Sequence, residues 1–186
     1  IRAEIISTEL DDKLGGEVKT NSSTVLIPGI GAHLEFIEHL GLLAGVHKGF
    51  SPVSPGQPEN VEPESSINYE VGLRYSAPNK GRLLEAVAFY NDYNNLLGEC
   101  TFSAGCDESD LDSQFNAGDV DVYGLETLGN WTFPLPADWS IPVRVAYTLV
   151  QSEFKTAFVS ENPQYGIVEL GDELPYLPNH RGSLRV

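Results

Sequence analysis

The stretch INYEVGLRYS, residues 67–76, alternates apolar and polar side chains at every step. The apolar set is Ile67, Tyr69, Val71, Leu73 and Tyr75, and the other set is Asn68, Glu70, Gly72, Arg74 and Ser76. Successive side chains of a β-strand point to opposite faces of the sheet. The stretch therefore predicts a strand with one apolar face, and residues 125–133 and 141–149 repeat the pattern.

Outward from these three stretches, the chain favours strands almost throughout, and it contains no convincing helical pattern. The predicted strands are 1–10, 25–37, 41–50, 67–76, 82–95, 125–133, 141–149 and 178–186. The fold class predicted is all-β, an antiparallel up-and-down meander of about eight strands.

The connections between these strands alternate in length. The long ones are predicted at 11–23, 51–65, 96–117 and 155–177, and the short ones at IEHLG (37–41), SAPNKG (76–81) and PLPADWS (134–140). Outer-membrane barrels combine short periplasmic turns with longer extracellular loops, whereas soluble sandwiches have no such rule. Trp131, Phe133 and Trp139 flank the PLPADWS turn, where a barrel carries an aromatic girdle.

The charge of the chain narrows the possible partners. The 186 residues include 27 acidic and 11 basic side chains, a formal charge of -16. Nucleic-acid binding depends on Lys and Arg contacts to phosphates, so we expect no nucleic-acid partner. The chain contains no Met and begins at Ile1, and we interpret it as a piece of a longer protein.

Both cysteines lie in one acidic stretch, ECTFSAGCDESDLD, as Cys100 and Cys106. The five residues between them allow the chain to turn back, and such a loop fits an oxidising compartment. A disulfide is favoured over two free thiols, and a zinc site ranks third because His47 and His180 are distant in sequence.

No catalytic or cofactor motif is present in the sequence. The four histidines have no HExxH spacing, and GxSxG, P-loop and dinucleotide-binding patterns are absent. The run DESDLD lacks the Gly and the distal Glu of a calcium loop. We therefore expect a protein that is not an enzyme and holds no metal or cofactor.

Five segments in succession carry a family resemblance: GVHKGFSPV (45–53), SSINYEVGLRY (65–75), AFYNDYNNLLG (88–98), DVYGLETLGNW (121–131) and GDELPYLPNH (171–180). In this order and spacing they resemble TonB-dependent outer-membrane receptors, and are most similar to the ferric dicitrate type. The resemblance implies a partial domain over 1–186 within a 22-stranded transmembrane barrel. The TonB box, the N-terminal plug domain and the C-terminal strands are absent from the sequence.

The resemblance also implies partners and site residues. The partners would be an iron chelate, the lipid of a Gram-negative outer membrane, and the TonB complex acting through the absent plug. Polar residues on the non-apolar strand face would point into the lumen. Toward the short turns these are Arg74, Glu85, Glu126 and Arg144, as plug contacts or as pairs among themselves. Toward the long loops they are Lys48, Tyr90, Asn94, Gln151 and Lys155, as ligand contacts or as solvated rim residues.

A second class stays open at this point. Eight strands suffice to close a small barrel, so a self-contained barrel or a β-sandwich with a structural or adhesive role is the alternative. The two readings differ at the chain ends, because a closed barrel requires the strand at 1–10 to pair with the strand at 178–186.

Overall fold

The structure, a computed structural model, describes residues 2–12, 17–57, 60–77, 81–102, 106–108, 111–160 and 165–186, the first 24 by backbone alone. Within these ranges the chain forms β-strands and no helix long and apolar enough to cross a membrane. The strands are β1 (Arg2–Asp12), β2 (Glu17–Ile27), β3 (Gly29–Ile37), β4 (Leu40–Ser51), β5 (Glu64–Ala77), β6 (Arg82–Asn94), β7 (Leu97–Glu99), β8 (Gln114–Asn116), β9 (Val120–Pro134), β10 (Ser140–Phe154), β11 (Phe158–Val159), β12 (Ile167–Val168) and β13 (His180–Arg185).

Seven of these strands form one antiparallel sheet in the order β13-β10-β9-β6-β5-β4-β3, which confirms the predicted meander. Among the described residues, β3 and β13 are the edges of this sheet, and β1 pairs with β2 alone. The strand near residue 1 therefore does not pair with the strand near residue 186. This overturns the small closed barrel, since closure requires that pairing.

One predicted connection is wrong. Residues 11–23 were expected to be a long loop, but β1 extends to Asp12 and β2 begins at Glu17, so the connection is 13–16. Backbone pairing forms this hairpin although Thr, Ser and charged residues replace the large apolar side chains that signal a strand. Pro28, which has no N–H to donate, separates β2 from β3, and its carbonyl accepts from Lys48 N at 2.9 Å.

The cross-strand register assigns every residue of the sheet to a face, because directly opposed residues share one. We name the face that contains Val71 the apolar face and the opposite one the polar face. Most exposed large apolar side chains of the sheet lie on the apolar face: Ile30, Leu34, Leu42, Val46, Ile67, Tyr69, Val71, Leu73, Leu84, Tyr90, Leu125, Phe133, Ile141, Val145, Tyr147 and Leu184.

The connections of the sheet reproduce the predicted alternation from β3 onward. The strand pairs β3–β4, β5–β6 and β9–β10 are each joined by two to five residues at one end of the sheet, which we call the short-turn end. The connections 52–63, 95–119 and 155–179 lie at the other, the long-loop end. His39 takes a positive φ of 70° in the first turn, where its N–H donates to Glu35 Oε1 at 2.9 Å and thereby closes the tight reversal.

Candidate functional site

The polar face carries the four residues predicted to contact a plug, with Arg74, Glu85 and Arg144 near the short-turn end and Glu126 in the middle of β9. Arg74 and Glu85 are directly opposed on β5 and β6, and Arg74 Nε donates to Glu85 Oε2. Glu126 opposes Val87, and Arg144 opposes Asn130. The register therefore places all four on one face, and of the four only Arg74 and Glu85 form an ion pair with each other.

Two further arginines share this face with Arg144. Arg185 directly opposes Arg144 across β10 and β13, and Arg181 opposes Thr148 four residues along each strand. All three arginines are exposed, and within the described residues no carboxylate forms an ion pair with any of them. Like charges directly opposite each other destabilise a sheet. An acidic neighbour from outside the described residues would therefore stabilise the Arg144–Arg185 contact.

A hollow of about 510 Å³ lies beside the Arg74–Glu85 pair. Its lining includes Gly31, Gly45, His47 and Glu70, the two glycines leaving room that side chains would otherwise fill. The next row along the polar face is His47, Asn68 and Asn91, opposed on β4, β5 and β6. Asn68 Nδ2 donates to His47 O at 3.4 Å.

The sequence did not single out this row of polar side chains as a site. The signal that could have indicated it is the pair Asn68 and Asn91, which the β5–β6 register places directly opposite each other.

The five predicted ligand-contact residues lie on the wrong face. Lys48 opposes Ile67, Tyr90 opposes Tyr69, and Asn94 opposes Ser65, all on the apolar face. Gln151 opposes Tyr123, itself opposed to Tyr90. For Tyr90 and Asn94 the prediction failed because β6, with Leu83, Val87 and Phe89 on one face and Leu84 and Tyr90 on the other, is apolar on both sides, so its sequence does not show which face a residue takes. Gln151 lies on the same face as Val143 and Tyr147, so the alternation of 141–149 continued by two residues already puts it on the apolar face.

Lys155 follows β10 and bonds carboxylates on the same apolar side. Its Nζ donates to Asp92 Oδ1 and lies 3.2 Å from Asp121 Oδ1, while its backbone N–H donates to Asp119 O at 2.9 Å. Burial alone would lower the pKa of Lys155, but the bonds to Asp92 and Asp121 and their charges raise it above its ordinary value. Lys155 is thus a neutralised anchor and not a free cation for an anionic ligand.

The long connections pack against the polar face. Val120 and Phe154, buried on that face at the ends of β9 and β10, form a core with Val168, and Phe158 and Tyr165 of the 155–179 connection pack around it. The Phe154 and Tyr165 rings are 6.1 Å apart and edge-to-face. Burial raises the pKa of the Tyr165 phenol. This connection therefore lies over the long-loop end of the polar face.

Side-chain amides join the first two long connections. Gln114 Oε1 accepts from Ser54 N at 2.8 Å, and Gln114 N donates to Gln57 Oε1 at 2.7 Å. Asn116 bonds both backbone groups of Glu62, at 2.8 Å each. Because Gln114 and Asn116 belong to β8, the β7–β8 hairpin and the 52–63 connection form one hydrogen-bonded unit.

The disulfide predicted in this hairpin is present. Cys100 and Cys106 are bonded, with a Cα–Cα distance of 5.9 Å, and both are buried. Cys100 N donates to Ser113 O and Asp112 N to Cys100 O, each at 2.9 Å. The described residues contain no group of three or more His, Cys, Asp or Glu side chains placed to hold a metal ion.

The three long connections carry a strong negative charge. Their sequences contain twelve acidic residues, Glu59, Glu62, Glu99, Asp107, Glu108, Asp110, Asp112, Asp119, Glu161, Glu169, Asp172 and Glu173, and a single basic residue, Lys155. Since Lys155 is held by Asp92 and Asp121, the single basic side chain of these connections is already paired.

Comparison with known proteins places the fold. The whole chain, residues 1–186, matches the family model described as TonB dependent receptor-like, beta-barrel. No curated protein sequence matches the chain.

Three solved structures illustrate the similarity of fold. The ferric yersiniabactin uptake receptor FyuA from Yersinia pestis is 23% identical, with a TM-score of 0.59 over 92% of this chain and 24% of that one. The siderophore receptor PiuA from Acinetobacter baumannii is 16% identical, with a TM-score of 0.68 over 98% and 27%. The FrpB iron transporter from Neisseria meningitidis is 16% identical, with a TM-score of 0.53 over 81% and 23%. This chain spans about a quarter of the length of each.

Proposed function

Because this chain belongs to the TonB-dependent receptor-like β-barrel family, we propose that it forms part of the wall of an outer-membrane receptor that imports an iron chelate. The observation that carries the proposal is the division of the seven-stranded sheet into an apolar face of exposed Ile, Val, Leu and Tyr and a polar face. A sheet with lipid on one side and a filled lumen on the other requires this division.

The open edges of the sheet support a larger barrel. In hydrocarbon each backbone N–H or C=O without a partner costs several kcal/mol, so β3 and β13 need neighbouring strands on their outer sides. We propose that other strands of a 22-stranded receptor supply them, in the outer membrane of a Gram-negative bacterium. The long-loop end then faces the exterior and the short-turn end the periplasm.

The polar face is proposed to surround a plug domain. Arg74, Glu85, Glu126 and Arg144 would contact that domain, through which the inner-membrane TonB complex would supply energy. The support is the exposed position of Arg144 opposite Arg185, where a facing acidic group would relieve the like-charge contact.

The ligand is proposed to meet the row His47, Asn68 and Asn91 at the long-loop half of the polar face. We propose a neutral or cationic, siderophore-like chelate in preference to ferric citrate, since the surrounding connections are acidic and Lys155 is already paired. Lys48, Tyr90, Asn94, Gln151 and Lys155 are not proposed as contacts because they lie on the apolar side.

The test compares two asparagines of one strand. Cells that express the full receptor are assayed for uptake of radiolabelled iron as ferric citrate and as a neutral hydroxamate chelate, with and without TonB. Asn91→Ala, on the polar face, should raise the chelate concentration for half-maximal uptake about 2- to 10-fold, as expected for a lost hydrogen bond. Asn94→Ala, on the apolar face, is the matched control. TonB-independent uptake would refute the proposed function.

A further inference from the structure

A groove of about 430 Å³ crosses the apolar face near the short-turn end. Leu84 and Val145 form its sides, and Thr127 and Gly129 keep its floor low. Gly129 leaves real space, because a Cβ built there would meet Leu84 Cδ2 only at 3.4 Å.

A cation stands beside the groove. The guanidinium of Arg82 lies over the indole of Trp131, with Cζ 4.2 Å from the ring centroid. Arg82 Nε is buried and lacks a hydrogen-bond partner in the described part of the chain, where no carboxylate pairs with this guanidinium. An aromatic face attracts a cation but does not neutralise it, so Arg82 still needs an anion.

The register fixes how the cation and the groove are arranged. Arg82, Trp131 and Val143 are opposed in one row, and Leu84, Gly129 and Val145 form the row two residues further from the short turns. Trp131 stands three residues before β9 ends at Pro134, about 10 Å along the strand. The groove also includes Trp131, Val143 and Phe133, so Arg82 stands beside its short-turn half, at the level where Trp and Tyr of membrane proteins meet lipid headgroups.

We propose that this groove binds an acyl chain of a phospholipid whose headgroup phosphate pairs with Arg82. The proposal rests on the proposed function, which places the apolar face in the membrane. A phospholipid combines the two chemistries required here, an unbranched apolar chain for a narrow groove and a phosphate for a guanidinium, which forms two parallel hydrogen bonds to such an anion. At the short-turn end the lipid belongs to the periplasmic leaflet.

The experiment measures lipid binding to the purified full receptor by native mass spectrometry during titration with dioleoyl-phosphatidylglycerol. Arg82→Gln should weaken binding about tenfold by removing the charge partner. Gly129→Val should weaken it comparably by filling the groove while Arg82 stays in place. Lys48→Gln, a cation removed from the same face near the long-loop end, should leave binding unchanged.

Two added arms separate the lipid from its parts. Inorganic phosphate and the neutral acyl detergent octyl glucoside, each titrated alone, should compete weakly. Phosphatidylglycerol binding that both Arg82→Gln and Gly129→Val leave intact would overturn the proposal, as would full competition by phosphate alone. Uptake of the iron chelate by the same variants should equal that of the wild type, so a failure here is distinct from a failure of the receptor assignment.

Discussion

At the scale of single residues, Lys155 shows how a charged group can be misread from sequence. From the sequence it was predicted to contact the ligand near the long loops. The structure places its ammonium between Asp92 and Asp121, and its backbone bonds Asp119. The side chain therefore joins the start of the 155–179 connection to β6 and β9.

We predict that Lys155→Met destabilises this junction by about 1–3 kcal/mol, between the values for exposed and buried ion pairs, because two neighbouring carboxylates lose their shared cation. Lys155→Arg, which retains the charge, should lose much less. The measurement is thermal unfolding of the receptor combined with limited proteolysis of the 155–179 connection.

The stability difference between wild type and Lys155→Met should depend on pH, because the pKa of Lys155 is raised in the folded state. The stabilisation is fully present below the ordinary lysine pKa of 10.5 and is lost as the pH rises through the higher folded-state pKa. The difference between wild type and Lys155→Met should thus persist at neutral pH and shrink only above about pH 10.5. A difference that vanished near neutral pH would contradict the role of the ammonium.

At the scale of strands, the alternation of side chains between the two faces decides which residues meet lipid. Val71 on β5 lies on the apolar face and is half exposed at 52%, while Asn68, three residues earlier, lies on the polar face. Gly72 is a poor comparison, because a Cβ there would meet Ala86 O at 2.6 Å. Asn68 is the better control because it already carries a side chain.

We predict that Val71→Arg impairs membrane assembly of the receptor by about 2–4 kcal/mol if the site is at mid-depth, the cost of a cation facing hydrocarbon. Asn68→Arg should assemble nearly normally, since its side chain lies on the polar face. Folding into lipid vesicles, followed by the heat-modifiable shift on gels, measures both variants. Equal loss for the two substitutions would mean that the assigned faces are wrong.

At the scale of the whole molecule, the polar face carries charges that the described residues do not balance. Arg144 and Arg185 are directly opposed although the chain as a whole carries a charge of -16. Nothing within a single sheet favours this contact. A plug domain with acidic groups at this level would explain it.

Arg185→Glu should change the stability of the protein in opposite directions with and without an acidic plug segment facing Arg144. In a sheet without a facing partner, Arg185→Glu would turn a repulsive cross-strand pair into an attractive one and stabilise the protein by about 0.2–1 kcal/mol. With an acidic plug segment in place, the same change should lower the melting temperature of the full receptor. Arg185→Gln should fall between wild type and Arg185→Glu, and stabilisation by Arg185→Glu would exclude the acidic partner.

The sequence alone determined the fold class, the alternation of short and long connections from β3 onward, and the disulfide. It also determined which alternate residues of β5 and β10 form the apolar face. Each depends on local information: a period of two, turn residues between apolar runs, or the separation of Cys100 from Cys106. Such signals survive because one face of each strand must be apolar whatever its neighbours are.

Only the tertiary structure decided the register, and with it the faces of β4 and β6. In these strands small or apolar residues occupy both sides, so a shift of one residue is invisible in sequence but moves Lys48, Tyr90 and Asn94 to the opposite face. The β1–β2 hairpin was hidden for a related reason, because its ladder is formed by backbone groups that every residue except proline shares. The charge pairing of Lys155 likewise depends on Asp92, 63 residues away, which no local pattern reports.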